Sequence, residues 1–164
     1  REPAAMADAA YAFLEAGFPA MKVRFHRGDW RDDIKALESV RQRVGTRLEL
    51  MVDCNQGWRM PWDTEAPWTL KEALAVAREL ERLDVYWMEE PLYRADREGL
   101  KRLRGSVDVR IAGGEMTREL HEFRDLIAGV QVSAPFNNVK YALQVFDVLD
   151  ERPAVAGVRD NVVV

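Results

Sequence analysis

The sequence predicts an α/β fold built on a parallel sheet, and three observations carry that expectation. Apolar stripes at helical spacing alternate with short apolar runs along its 164 residues. Glycines stand at several of the helix ends, where a left-handed residue closes the last turn. The spacers between successive strand-like runs exceed a dozen residues, which suits right-handed crossovers between parallel neighbours and rules out hairpins.

Taken in order, Met6, Ala9, Ala10, Phe13 and Leu14 mark a first helix, and Gly17 ends it before the strand run Ala20-Met21-Lys22-Val23-Arg24-Phe25. Ile34, Leu37, Val40 and Val44 share the face of a second helix, Gly45 stops it, and Leu48-Glu49-Leu50-Met51-Val52-Asp53 follows as a strand. Thr69 with Glu72 three residues on is a capping box, with Leu70, Leu74, Ala77 and Leu80 as the expected buried stripe and Val85-Tyr86-Trp87-Met88-Glu89 as the third strand. A shorter helix over 97–103 leads through Gly105 to a strand at 107–113. Thr117 should cap a helix reaching about 127, followed by a strand at 130–133 and a helix over 139–149. The loop 56–67 holds Trp58 and Trp62, with Trp68 just beyond it. So many aromatics suit either an active-site lid or a compact packed loop.

Composition narrows the function. With 48% hydrophobic and 32% charged residues the chain can bury one sizeable core, as one domain or part of one. No run of about 18 apolar residues could span a bilayer, and Arg1-Glu2-Pro3-Ala4 lacks the apolar stretch of a secretory signal, so a cytoplasmic location is expected. The single Cys54 excludes an internal disulfide, and two histidines leave too few soft ligands for a zinc cluster. Any metal must therefore sit on oxygen. A net charge of −4 with intermixed signs offers no basic stripe for nucleic acid.

The strand runs end in charge: Lys22 to Arg24, Asp53, Glu89, and Gly114-Glu115. Three carboxylates from adjacent parallel strands would converge at one rim, where they repel one another unless a cation lies among them. Hard oxygen ligands suit Mg²⁺ with open positions for water and substrate.

The segments Gly17-Phe18-Pro19-Ala20-Met21-Lys22-Val23-Arg24, Met51-Val52-Asp53-Cys54-Asn55-Gln56, Trp87-Met88-Glu89-Glu90-Pro91 and Gly113-Gly114-Glu115 resemble, in order, the signature strands of the mandelate racemase and muconate lactonizing branch of the enolase superfamily. The likeness is clear over 7–127 and weak over 128–164. It implies a partial parallel β/α (TIM-type) barrel of about five to six βα units over 1–164, without the last strands and the N-terminal capping domain. It also implies Mg²⁺ on Asp53, Glu89 and Glu115, with Asn55 and Glu90 beside them to support those ligands or orient the substrate. A small-molecule carboxylate is the implied substrate. A proton α to a carboxylate is very weakly acidic, so a divalent cation and a nearby ammonium, here Lys22, must stabilise the charge that builds on its oxygens. Cys54 should alternate to the opposite face of its strand as packing.

One position departs from the pattern. Much of the branch carries Lys-x-Lys on this strand, its second lysine a base, whereas this chain has Arg24, which stays protonated near neutrality. Relatives with that change resemble acid-sugar dehydratases, which use a His-Asp pair on later strands. Here Pro135 is followed by Phe136, not Asp, and no later histidine strand can be located. His26, just past the first strand, is a candidate substitute base or substrate contact, and His121 is expected to be structural. The leading expectation is a Mg²⁺-dependent lyase that dehydrates a sugar acid. Its rivals are a racemase, epimerase or cycloisomerase of the same branch, and an inactive metal-binding remnant. The missing initiator Met and the apolar end Asn161-Val162-Val163-Val164 suggest a cut chain, and open sheet edges suggest self-association as a homo-oligomer.

Overall fold

The computed structural model describes residues 3–119 and the strand at 131–132. The expected helix over 139–149, His121, Pro135 and Phe136, and most of the helix expected after Thr117 lie outside the described residues.

Helix α1 (Pro3–Glu15) starts on proline, whose missing N–H costs nothing in a first helical turn. It ends at Gly17, whose φ of +86° no side chain would favour. Strand β1 (Ala20–Arg24) follows. Asp29 caps α2 (Trp30–Val44) by accepting from Arg31 N at 2.9 Å. Gly45, at φ +62°, turns the chain through a single 3₁₀ turn into β2 (Glu49–Asp53). Helix α3 (Leu70–Arg82) carries the expected capping box, with Thr69 Oγ1 accepting from Glu72 N and Glu72 Oε2 accepting from Thr69 N. Strand β3 (Trp87–Glu89), helix α4 (Arg97–Arg104), strand β4 (Arg110–Gly113) and strand β5 (Gln131–Val132) complete the described chain.

All the strands are parallel and lie in chain order, β1-β2-β3-β4-β5. Doubly wound sheets reverse strand order at a switch point; this sheet does not, which is the arrangement of a βα barrel wall. Leu50, Val52, Cys54, Met88 and Ile111 are buried on the helix side with Leu37, Val40 and Leu80. The opposite face carries Lys22, Arg24 and Asp53. Strand alternation therefore assigns Cys54 to packing, as expected, and burial pushes its thiol well above the ordinary range.

Three expectations shift. The fully buried stripe of α3 is Ala73, Val76, Ala77 and Leu80, while Leu70 and Leu74 lie at its half-buried border. Strand β3 begins at Trp87 because Asp84, at φ +53°, and the bond from Val85 N to Leu80 O use residues 83–85 to close the helix. Strand β4 starts at Arg110 because the N–H groups of Asp108 and Val109 donate to Glu81 Oε1 at 2.6 and 3.3 Å instead of entering the ladder. The loop 56–67 is packed only at its base, where Gln56 Oε1 accepts from Arg59 Nη2 (2.7 Å) and Trp68 N (3.1 Å); Trp62 at its tip is 71% exposed.

Glu81 yields a pH prediction. Burial alone would raise its pKa, but Arg78 and the two backbone donors outweigh that and hold it below the ordinary value. A carboxylate with a depressed folded pKa contributes stability above its unfolded pKa and loses it as pH falls through the folded value. Glu81→Gln should cost about 1 kcal/mol at pH 7. Urea melts of the two proteins at successively lower pH should converge as pH falls through the lowered value, and a gap that stayed constant with pH would refute the assignment.

Candidate active site at the carboxyl ends of the strands

The rim is built by strand register. Arg24 pairs with Asp53 and Asp53 with Glu89, so three charged side chains leave neighbouring strands at one level. Lys22, two residues before Arg24, shares its face. The Lys22 ammonium sits between two buried carboxylates, 3.0 Å from Glu89 Oε2 and 3.5 Å from Asp53 Oδ2. Arg24 Nη2 reaches the same Asp53 oxygen at 3.2 Å, and the N–H of Asn55 donates to Asp53 Oδ1 at 3.0 Å. Asp53 is only 1% exposed, so each oxygen is already committed.

Burial on its own would lower the Lys22 pKa. The hydrogen bond to Glu89 and the charges of Glu89 and Asp53 override it and hold the ammonium above its ordinary value. Lys22 is thus a fixed cation at neutral pH, suited to stabilising negative charge and unsuited to accepting a proton.

Glu90 is the odd member. It is buried, and among the described residues its Oε2 has no hydrogen-bond partner. Burial first, then the charges of Glu115, Asp53 and Glu89, push its pKa up to about 7, against the opposing effect of the Glu115 backbone N–H. Asn55 and Glu90 both adopt left-handed backbone conformations, φ +53° and +47°. Such conformations in non-glycine residues cost free energy and persist where surrounding bonds enforce them. Here Gln56 N donates to Glu90 O at 2.9 Å and Glu90 N to Ala112 O at 2.9 Å, tying the turn after β2 to β3 and β4. The Asn55 amide is used structurally, donating to Phe25 O at 2.7 Å.

Glu115 lies half-buried in the turn after β4, close enough for its charge to act on Glu90. Among the described residues no three His, Cys, Asp or Glu side chains converge closely enough to enclose a metal ion. The donor chemistry nonetheless suits a hard divalent cation. Asp53, Glu89, Glu90 and Glu115 crowd a rim whose neutralising cations are Lys22 and Arg24, and an orphaned buried carboxylate oxygen marks the remaining imbalance. His26 is exposed, and its Nδ1 lies 3.2 Å from the backbone oxygen of Arg24, so the ring pairs with the main chain and not with the rim carboxylates.

Two contributors escape a reading of the sequence. Gly57 leaves the Glu90 carboxylate its place, since a Cβ there would force that carboxylate to shift. The buried Asp33 accepts from Arg27 Nη1 at 2.7 Å, Arg27 N at 3.1 Å and His26 N at 3.5 Å, and so holds the loop after β1. With Asp29, Asp32 and Asp33 together at the helix start, the sequence gives no sign of which one is buried.

The profile of the "Enolase C-terminal domain-like" family matches residues 5–152, most of the chain. The chain belongs to that family. Within the enolase superfamily its relatives are of the mandelate racemase and muconate lactonizing branch, whose barrels are of the TIM type. This enolase-like chain is 35% identical over 126 residues to the L-talarate/galactarate dehydratase of Salmonella typhimurium, covering 74% of the chain and 29% of that protein. It superposes on a Streptomyces coelicolor racemase with bound magnesium at a TM-score of 0.74 and 27% identity, over 90% of this chain and 40% of that one. The L-talarate dehydratase of Polaromonas, complexed with Mg and L-glucarate, matches with a TM-score of 0.72 and 29% identity, over 88% and 39%. Other enolase-superfamily relatives are a cycloisomerase, an epimerase and a racemase. The chain spans about three tenths of the length of these curated relatives. Among the described residues no helix is long and apolar enough to cross a membrane.

Proposed function

We propose that this chain supplies the metal-holding and carboxylate-activating wall of an enzyme that removes the proton α to a carboxylate and dehydrates a sugar acid. The observation that carries this reading is the Lys22 ammonium held between Asp53 and Glu89 at the carboxyl ends of adjacent strands. Mg²⁺ would be held by Asp53 and Glu89, with Glu115 as the third ligand implied by the family pattern. When bound, it supplies electrophilic stabilisation for charge developing on the substrate carboxylate. Lys22 contacts the same carboxylates, and its ammonium would stabilise negative charge on the substrate without a change of protonation. Asn55 N–H and Arg24 orient the Asp53 carboxylate. The proton itself is taken by a group other than Arg24, because a guanidinium stays charged near neutrality. That same substitution counts against racemase and epimerase readings, which need two bases flanking one carbon.

Calorimetric titration of Mg²⁺ into the chain and into Asp53→Asn and Glu89→Gln tests the reading. Wild type should bind, and each variant should lose most of that affinity. A folded wild-type chain that does not bind would withdraw the enzymatic claim for this wall.

A further inference from the structure

Two of the three carboxylates assigned to the metal are placed by strand register, and the third is not. Asp53 closes β2 and Glu89 closes β3, side by side in the ladder. Strand β4 ends at Gly113, so Glu115 stands beyond it, past Gly114 at φ +108°. A turn entered through two glycines has wide backbone freedom and no ladder to restrain it, so another contact must set where Glu115 sits. Glu90 is placed to supply that contact. Its carboxylate is buried, accepts the backbone N–H of Glu115 and rests against Gly57, where a Cβ would displace it. It also lines a small cavity with Leu92, Leu100, Met116 and Thr117, whose lining among the described residues includes none of Lys22, Asp53 and Glu89. Leu92 and Leu100 belong to the core beneath the helices, so this carboxylate is turned toward the residues 114–117 and away from the Lys22 ammonium.

We propose that Glu90 is a positioning residue, whose carboxylate holds the turn that carries Glu115 and so sets the third ligand beside Asp53 and Glu89 without itself taking the metal. This rests on the reading of those three acids as Mg²⁺ ligands. The backbone of Glu90 is fixed before its side chain acts. Glu90 N donates to Ala112 O and Gln56 N to Glu90 O, both at 2.9 Å, around a φ of +47°. Such a conformation costs free energy in a residue with a side chain, so the bonds that enforce it also hold the carboxylate in one place. Arg94 adds a second tie, donating from its N–H to Gly57 O at 3.0 Å and from Nη1 to Met116 O at 2.9 Å. The loops after β2, β3 and β4 are thereby joined through Glu90 and Arg94. The orphaned Oε2 leaves one rival role, direct coordination of the metal, and the test separates the two.

Wild type, Glu90→Gln, Glu90→Ala and Gly57→Ala are compared by amide exchange in EDTA and by calorimetric titration of Mg²⁺ into the full chain. Gly57→Ala shifts the Glu90 carboxylate while leaving its chemistry intact, and the displaced atoms end a flexible side chain, so the fold should survive. Without metal, the Glu115 amide should exchange about tenfold faster in Glu90→Ala and Gly57→Ala, the size of one hydrogen bond, while the amides of β2 keep the wild-type rate. Glutamine retains an acceptor oxygen, so Glu90→Gln should keep the slow rate. Mg²⁺ affinity should follow the same order, falling about tenfold in Glu90→Ala and Gly57→Ala and staying close to wild type in Glu90→Gln. If Glu90→Gln loses as much affinity as Glu90→Ala while the Glu115 amide stays protected, Glu90 is itself a ligand and the inference is overturned. An unchanged Glu115 amide in Glu90→Ala overturns it as well. So does faster exchange throughout β2 and β3, which would make Glu90 a packing residue only. If wild type binds no Mg²⁺, the ligand reading falls and the inference with it; in the other failures wild-type binding is intact and that reading stands.

Discussion

Lys22→Met is expected to lower the stability of the metal-free chain by about 2 kcal/mol, seen as a fall in the urea midpoint with EDTA present. The variant leaves Asp53 and Glu89, both buried, facing one another without the ammonium that lies 3.0 and 3.5 Å away. Breaking a fully buried pair by removing one partner costs about 3–5 kcal/mol. Lys22 is 39% exposed, so solvent already screens part of that interaction and brings the cost below that range, to about 2 kcal/mol. The methionine keeps most of the aliphatic stem, which separates loss of charge from loss of packing. Adding Glu89→Gln to Lys22→Met should recover much of the deficit, because it removes one of the stranded charges, so the double-mutant cycle should show strong coupling. Millimolar Mg²⁺ should also restore more of the midpoint in Lys22→Met than it adds to wild type, since a bound cation stabilises the folded state by mass action. An unchanged midpoint in EDTA would mean that the ammonium does not offset the repulsion between the carboxylates, and the electrostatic account of the rim would fail with it.

Much of this rim was legible because it depends on strand ends. A strand fixes which residues share a face, so Lys22, Arg24 and Asp53 could be placed on the side opposite Val23, Val52 and Cys54 from spacing alone. Capping residues were equally plain: Thr69 with Glu72, and Gly45, do locally what their chemistry requires. What was not legible depends on distant partners. Nothing in the run 107–109 shows that Glu81, 27 residues earlier, takes the N–H of Asp108 and shortens the strand. Nor does sequence show that Gly57 is small to make room for Glu90, since its φ is not in the left-handed region and no turn demands it. The buried stripe of α3 was misplaced for a related reason. Periodicity selects the largest apolar residues, whereas Ala73 and Val76 are buried and the bulkier Leu70 and Leu74 sit at the border.

Asp33→Ala is expected to cost about 3 kcal/mol, although Asp33 touches none of the rim carboxylates' partners. Its carboxylate is buried and accepts the Arg27 guanidinium at 2.7 Å together with the backbone N–H groups of Arg27 and His26. Alanine would leave a largely buried guanidinium and two backbone donors to find new partners, and breaking a buried pair from one side costs about 3–5 kcal/mol. Some of that is relieved because Arg27 retains other interactions, which places the expectation at the lower end. Asp33→Asn keeps one acceptor oxygen for the backbone and should cost about half as much. Both variants should loosen the loop that follows β1, so amide exchange at residues 26–28 should quicken while that of β2, on the far side of the strand, stays slow. The geometry gives a reason to look beyond stability. This loop continues the strand that carries Lys22 and Arg24, and His26 Nδ1 folds back onto the Arg24 carbonyl. If Asp33 anchors the end of that strand, Asp33→Asn should weaken Mg²⁺ binding in calorimetry, in the direction expected for Asp53→Asn and by a smaller factor. A destabilised variant whose Mg²⁺ affinity stays at the wild-type value would show instead that the anchor serves the fold alone.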